Sequence, residues 1–128
     1  MQHKPLILIK FYFMREKAGD KERLNHIIEA IDNIFEFTGD KDFIQYRQDK
    51  ILRFAVIKNL EIVGEACYLL TAELREKNKQ IEWDEIIRMR HILVHGYYQI
   101  KDEIVWQTIL TELRPLKEKI ADVISDLN

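Results

Sequence analysis

Glycine, proline and cysteine are scarce in this chain, at 4, 2 and 1 of 128 residues. So few turn formers exclude a sandwich of many short strands, which needs them at its corners. The single cysteine, Cys67, excludes an intrachain disulfide framework and a cysteine-based zinc cage, and it agrees with a reducing compartment. Charge of one sign is also lacking: 20 Lys and Arg face 22 Asp and Glu, for a net charge of −2. No global positive field exists to hold nucleic acid, so any RNA contact must be local. Long apolar runs are missing as well. The N-terminal one, Pro5 to Met14, is interrupted by Lys10 and is about half the ~20 residues of a membrane helix. Arg15, Glu16 and Lys17 follow it where a secretory signal needs a clean small-residue cleavage site. The expectation is a cytoplasmic protein with no membrane span.

What is present is helix-forming and apolar. Hydrophobic residues make up 47% of the chain and charged residues 33%, enough for one core and one domain. Composition changes at Met14, since Leu6 to Phe13 is β-branched and aromatic unlike anything downstream. Residues 1–18 are therefore read as an N-terminal extension, either an extra strand or arm packed on the domain or a stretch upstream of a start at Met14. We expect the second. Residues 19–128 form the helical domain.

Within that domain, apolar residues recur at three and four from Leu24 to Phe35, with Asp20 placed to cap and Thr38-Gly39-Asp40 ending the helix. A short helical piece follows over Asp42 to Gln48. The longest periodic run, Asp49 to Asn78, predicts one helix of about 45 Å at 1.5 Å per residue. Trp83-Asp84-Glu85 opens a helix that stops near Gly96. A last one runs from about Asp102 to the C-terminus, kinked at Pro115. The fold expected is all-α: an antiparallel four-helix bundle with an additional short helix.

Chemistry concentrates in one segment, Arg88-Met89-Arg90-His91-Ile92-Leu93-Val94-His95-Gly96-Tyr97-Tyr98. Imidazole titrates nearest neutrality and guanidinium offers a planar fork for phosphate, so Arg with His is the minimal kit for metal-free phosphodiester cleavage. At 100° per residue Arg90 and His95 lie about 140° apart, whereas His91 and His95 differ by about 40°. Arg90 and His95 can meet on one phosphate if the helix unwinds near Gly96, or if Arg90 of one subunit works opposite His95 of a second across a two-fold axis. The second is preferred, because a symmetric cleft doubles the local positive charge. His91 and His95 alternatively form half of a metal site, but no third ligand is near in sequence, and no metal is expected. Capping or core histidines are the plain alternative.

Outside that segment, Gly64 suggests a close helix approach. Glu65 either orients Arg90 or is a partly buried helix charge. Trp83 and Trp106 read as core or interface aromatics and Tyr68 as packing. Lys50 and Arg53, at i and i+3, read as exposed charge, with an extended RNA path as the alternative.

The spacing Arg90, four residues, His95, Gly96, Tyr97 matches the Arg-x4-His-x-Tyr signature of the HEPN superfamily, and Asp20 to Leu127 resembles the HepT branch of toxin–antitoxin toxins throughout. Supporting patches are Arg23-Leu24 with His26-Ile27, the run Ala55 to Ala66, the Trp83-to-Arg90 lead-in, and Val105-Trp106. The resemblance implies an all-α homodimer that cuts RNA without metal or other cofactor, encoded beside an MntA-type nucleotidyltransferase antitoxin that neutralises it. It also implies His95 as general acid or base, Arg90 as phosphate clamp, and His91 as a supporting group where the family usually has Asn. The tyrosine to which the antitoxin transfers AMP maps to Tyr97, with Tyr98 adjacent. The alternative is a non-catalytic HEPN module that binds a nucleotide or a partner protein.

Overall fold

A computed structural model describes residues 7–8 and 19–128. Most of the extension expected over residues 1–18 lies outside them. Ile7 and Leu8 are helical, not extended as a strand there requires. Among the described residues there is no strand, and no helix is long and apolar enough to cross a membrane.

The chain forms α1 (Asp20–Thr38), α2 (Phe43–Gln48), α3 (Lys50–Leu69), α4 (Ala72–Lys77), α5 (Trp83–Gly96), a 3-10 turn (Tyr97–Gln99), α6 (Asp102–Thr111) and α7 (Leu113–Leu127). Side-chain bonds fix their directions. Near the middle of the pair, Asn33 of α1 donates to Asn59 of α3 at 3.1 Å, and at the end Asp20 of α1 accepts from the Thr71 amide at 2.9 Å. Position 20 therefore lies by 71 and 33 by 59, so α1 and α3 are antiparallel. Lys117 pairs with Asp32 and Lys21 donates to Asn128, each at 2.6 Å, which sets α7 antiparallel to α1. α5 in turn packs on α3, giving the expected four-helix arrangement. Ile27, Ile31 and Ile34 of α1, Val56, Leu60 and Val63 of α3, and Ile120 and Val123 of α7 are buried in one core. Each such side chain contributes roughly 1.5–3 kcal/mol of burial.

Three expectations change. First, the run from Asp49 to Asn78 is not one helix. It breaks at Leu70 and Thr71, which adopt extended ψ angles of 150° and 147°. Thr71 starts α4 by accepting from the Leu74 amide at 3.2 Å, and its hydroxyl donates to Asp20 at 2.6 Å. An N-cap in mid-pattern thus overrides continuous apolar periodicity. Second, Asp20 does not cap its own helix. Gly19 occupies that position, and the Asp20 carboxylate is used on the α3–α4 break instead. Third, the last helix is divided, with α6 ending at Thr111 and α7 beginning at Leu113. Pro115 lacks the N–H that would bond the Thr111 carbonyl and its ring crowds that group, so the turn before it opens.

Candidate active site

α5 carries the Arg–His segment. Asp84 and Glu85 in its first turn and His95 in its last complement the helix dipole, and the Trp83 indole donates to the Asn78 carbonyl at 2.9 Å. That bond anchors the helix start, and Trp83 is buried. Leu93 enters the core, while Ile86, Ile87 and Met89 pack against it.

Arg90 sits where α5 comes nearest to α3. A β-carbon built on Gly64 collides with Arg90 Cβ and lies 3.0 Å from Arg90 Cγ and 3.1 Å from the Ile86 carbonyl oxygen. Gly64 is therefore the close approach that its sequence position suggests. One residue on, Glu65 Oε1 lies 3.3 Å from Arg90 Nε. The oxygen is itself buried, but the alignment is that of an ion pair and not of a hydrogen bond. The contact takes the Nε edge of the guanidinium, and its terminal amino groups have no protein acceptor among the described residues. With the two side chains 33% and 44% exposed, the pair adds little stability. Its effect is to aim the fork.

Around Arg90 a cavity of about 240 Å³ opens between α1, α3 and α5, where Arg23, His26 and Lys58 join it. Sequence reasoning gave these three no role at the site. The α1 residues lie more than sixty positions from Arg90, and only the antiparallel register of α1 on α3 brings them there. Glu61 and Glu65 line the same cavity and offset part of the charge.

His91 and His95 stand on the exposed side of α5 with ring centroids 4.5 Å apart and planes tilted by 52°. Among the described residues no third His, Cys, Asp or Glu joins them as a metal cage requires. Arg90 and His95 do not meet within one chain. α5 stays helical through Gly96, so the unwinding considered from sequence does not occur, and Arg90 faces the α1–α3 cavity while His95 faces His91. Tyr97 opens the 3-10 turn directly after α5, and its side chain lies outside what is described.

The aromatics divide. Trp83 is buried, and Trp106 packs with Tyr46 at 5.2 Å and Phe43 at 6.3 Å between ring centroids, as core aromatics do. Tyr68, read as packing, is instead 58% exposed, because its neighbour Cys67 takes the inward position.

Compared with known proteins, the family described as Ribonuclease HepT-like matches residues 27–123, which include Gly64, Glu65 and the whole segment from Arg88 to Tyr98. The chain belongs to the HepT-like ribonuclease family. A "Probable ribonuclease HepT" of Thermococcus cleftensis is 37% identical to it over 103 residues, 80% of this chain and 94% of the relative. A "Putative RNase" of Methanocaldococcus jannaschii is 33% identical over 104 residues, 81% of this chain and 95% of its own length. A "Gamma-glutamylcyclotransferase and putative RNase" of the same organism is 38% identical over 105 residues, 82% of this chain but 47% of that longer protein. No solved structure matches.

Proposed function

We propose that this HepT-like chain is a metal-independent endoribonuclease and the toxin of a toxin–antitoxin pair, working in the cytoplasm as a homodimer. Family membership over residues 27–123, a span holding Arg90 and His95, carries this reading. Cleavage without metal requires a base to take the ribose 2′-OH proton, an acid to protonate the leaving 5′-oxygen, and cationic donors on the five-coordinate phosphorus. Arg90, with its terminal amino groups turned away from Glu65, supplies the donors. His95 is the acid or base, and His91, in ring contact with it, supports it or takes the complementary proton step. Attack of the 2′-oxygen on phosphorus with loss of the 5′-oxygen yields a 2′,3′-cyclic phosphate and a free 5′-hydroxyl.

Because α5 holds Arg90 and His95 in different surroundings, Arg90 of one subunit works opposite His95 of a second across a two-fold axis. The antitoxin is an MntA-like nucleotidyltransferase that joins AMP from ATP to the Tyr97 hydroxyl with release of pyrophosphate. The added phosphate and adenosine occupy the anion site beside Arg90 and His95 that RNA needs.

The deciding experiment incubates purified chain with RNA in EDTA. Cleavage that is lost in His95→Ala and Arg90→Ala supports the reading. Full binding of the nucleotidyltransferase by a chain that never cuts RNA favours the non-catalytic module. For the modification, intact mass of the co-expressed protein gains whole AMP units that disappear in Tyr97→Phe, whereas an unmodified yet neutralised complex counts against it.

A further inference from the structure

His91 and His95 stand one helical turn apart on the exposed side of α5, and the helix stays regular through Gly96, so the backbone fixes their spacing. Their ring centres are 4.5 Å apart and the planes are tilted by 52°. Among the described residues neither ring makes a hydrogen bond or an ion pair, so the ring nitrogens carry no protein partner. The neighbouring guanidiniums are engaged elsewhere. Arg90 lines the α1–α3 cavity, and Arg88 lines a cleft toward α6 with Ile92 and Ile104.

That separation is what a shared metal ion requires. An imidazole nitrogen binds a divalent transition-metal ion at about 2.0–2.1 Å, which puts the ring centre about 3.2 Å from the ion. Two rings on one ion then have centres about 4.5 Å apart for a right angle at the metal and about 5.2 Å for a tetrahedral angle. The observed 4.5 Å matches the first, and small rotations of two exposed side chains reach the second. Neutral imidazole selects borderline ions such as Zn²⁺, Ni²⁺ and Cu²⁺ over Mg²⁺ and Ca²⁺, which take oxygen ligands. Since no third His, Cys, Asp or Glu among the described residues joins the pair, water completes the shell and the ion exchanges readily.

We propose that His91 and His95 form a two-histidine chelate for a borderline divalent metal ion, and that the bound ion inhibits RNA cleavage. The ion is no cofactor: it takes the lone pair with which His95 accepts the 2′-OH proton, and it displaces the proton that His95 gives to the leaving 5′-oxygen. Either role of His95 is blocked. A gap that admits a phosphodiester between His95 and Arg90 of a second subunit also admits an ion with its waters. The inhibition rests on the ribonuclease reading, whereas the binding does not.

The first measurement is calorimetric titration of Zn²⁺ into the full chain, stripped with EDTA and desalted, in a His3→Ala background that removes the histidine nearest the N-terminal amine. Saturable binding is expected, with no heat from Mg²⁺. His91→Asn keeps a polar side chain at an exposed helical position and leaves one imidazole, so it is expected to weaken Zn²⁺ binding by about ten-fold or more. His26→Asn, on α1, is expected to leave the affinity unchanged. The second measurement is RNA cleavage without chelator, where Zn²⁺ is expected to inhibit over the range in which it fills the site, with EDTA restoring the rate. No Zn²⁺ binding, equal binding of Mg²⁺, or an affinity that survives in folded His91→Asn overturns the chelate. Zn²⁺ that fills the site and leaves cleavage undiminished overturns the inhibition. A chain that binds Zn²⁺ through His91 but cuts no RNA even in EDTA keeps the chelate and assigns the failure to the ribonuclease reading.

Discussion

The α1–α3 seam and the C-terminal half of α5 use their residues in opposite ways. Along the seam, Ile27, Ile31 and Ile34 share a core with Val56, Leu60 and Val63, an asparagine pair closes the middle, and Asp20 pins Thr71 at the end. Past Arg90, α5 buries Leu93 but leaves His91, Ile92, Val94 and His95 exposed. Buried packing is therefore concentrated along the seam, and the groups proposed to react stand on a helix held from its other face. This arrangement separates folding from activity: variants of one region should change a melting curve, and variants of the other should change a rate.

The sharpest break of that contrast comes from His95→Ala. Loss of a positioned acid or base is expected to lower RNA cleavage by about 10²- to 10⁴-fold. Since His95 is exposed and touches mainly His91, the thermal midpoint should stay within a degree or two. A cleavage assay beside a melting curve checks both halves, and a variant that melts early without losing rate contradicts the division.

Gly64→Ala tests the close approach that joins the two regions beside Arg90. The new methyl runs into Arg90 Cβ and the Ile86 carbonyl, so α5 must move off α3. Overpacking of this kind costs about 1–3 kcal/mol. Here stability and cleavage should fall together, read by urea unfolding and by the RNA assay, because displacing α5 also carries Arg90 away from Glu65. A stable but inactive Gly64→Ala protein means that Arg90 placement is more sensitive than the helix contact itself.

Thr71→Ala belongs wholly to the seam. It removes the α4 cap and a partner of Asp20, for an expected loss of about 1 kcal/mol with cleavage per folded molecule unchanged. Asp20→Ala alone should cost a similar amount, and the double variant less than the two together, since both delete one joint.

How much of this was legible follows the same division. Apolar periodicity marks the faces of α1, α3, α5 and α7 because burial against neighbours selects them, and the all-α bundle follows. Periodicity cannot register the break at Thr71, since Leu70 and Leu74 stay buried on either side of it. What decides there is a hydroxyl between Asp20 and the Leu74 amide, a contact 51 residues long in sequence on one side and three on the other. Helix angles alone separate Arg90 from His95 on α5, and the regular helix through Gly96 agrees with that separation. The contact of Glu65 with Arg90 was one of two open readings, and Gly64 pointed to the close approach that makes it. Arg23, His26 and Lys58 were not legible as neighbours of Arg90. On their own helices they look like ordinary exposed charges, and only the register between helices gives them a common cavity.

Cys67 offers the mildest test, one that appears only in alkali. Burial among α3's inward residues pushes its thiol up to about 12, with Arg75 pulling weakly the other way. Below the ordinary thiol value of 9.0 both folded and unfolded chains are protonated, so the group does not change stability there. As pH rises past that value the unfolded thiol loses its proton while the folded one keeps it, and unfolding is favoured by at most about 1.4 kcal/mol per pH unit. Tyr46, also raised by burial, adds a loss of the same sign starting about one unit higher. Urea unfolding between pH 8 and 10 should therefore show falling stability in the parent chain and a flatter slope in Cys67→Ala, whatever that variant loses in packing at neutral pH. Equal slopes mean that the thiol ionises in the folded chain. In that case α3 opens to water at Cys67, and the seam is less closed than the buried side chains on either side of it require.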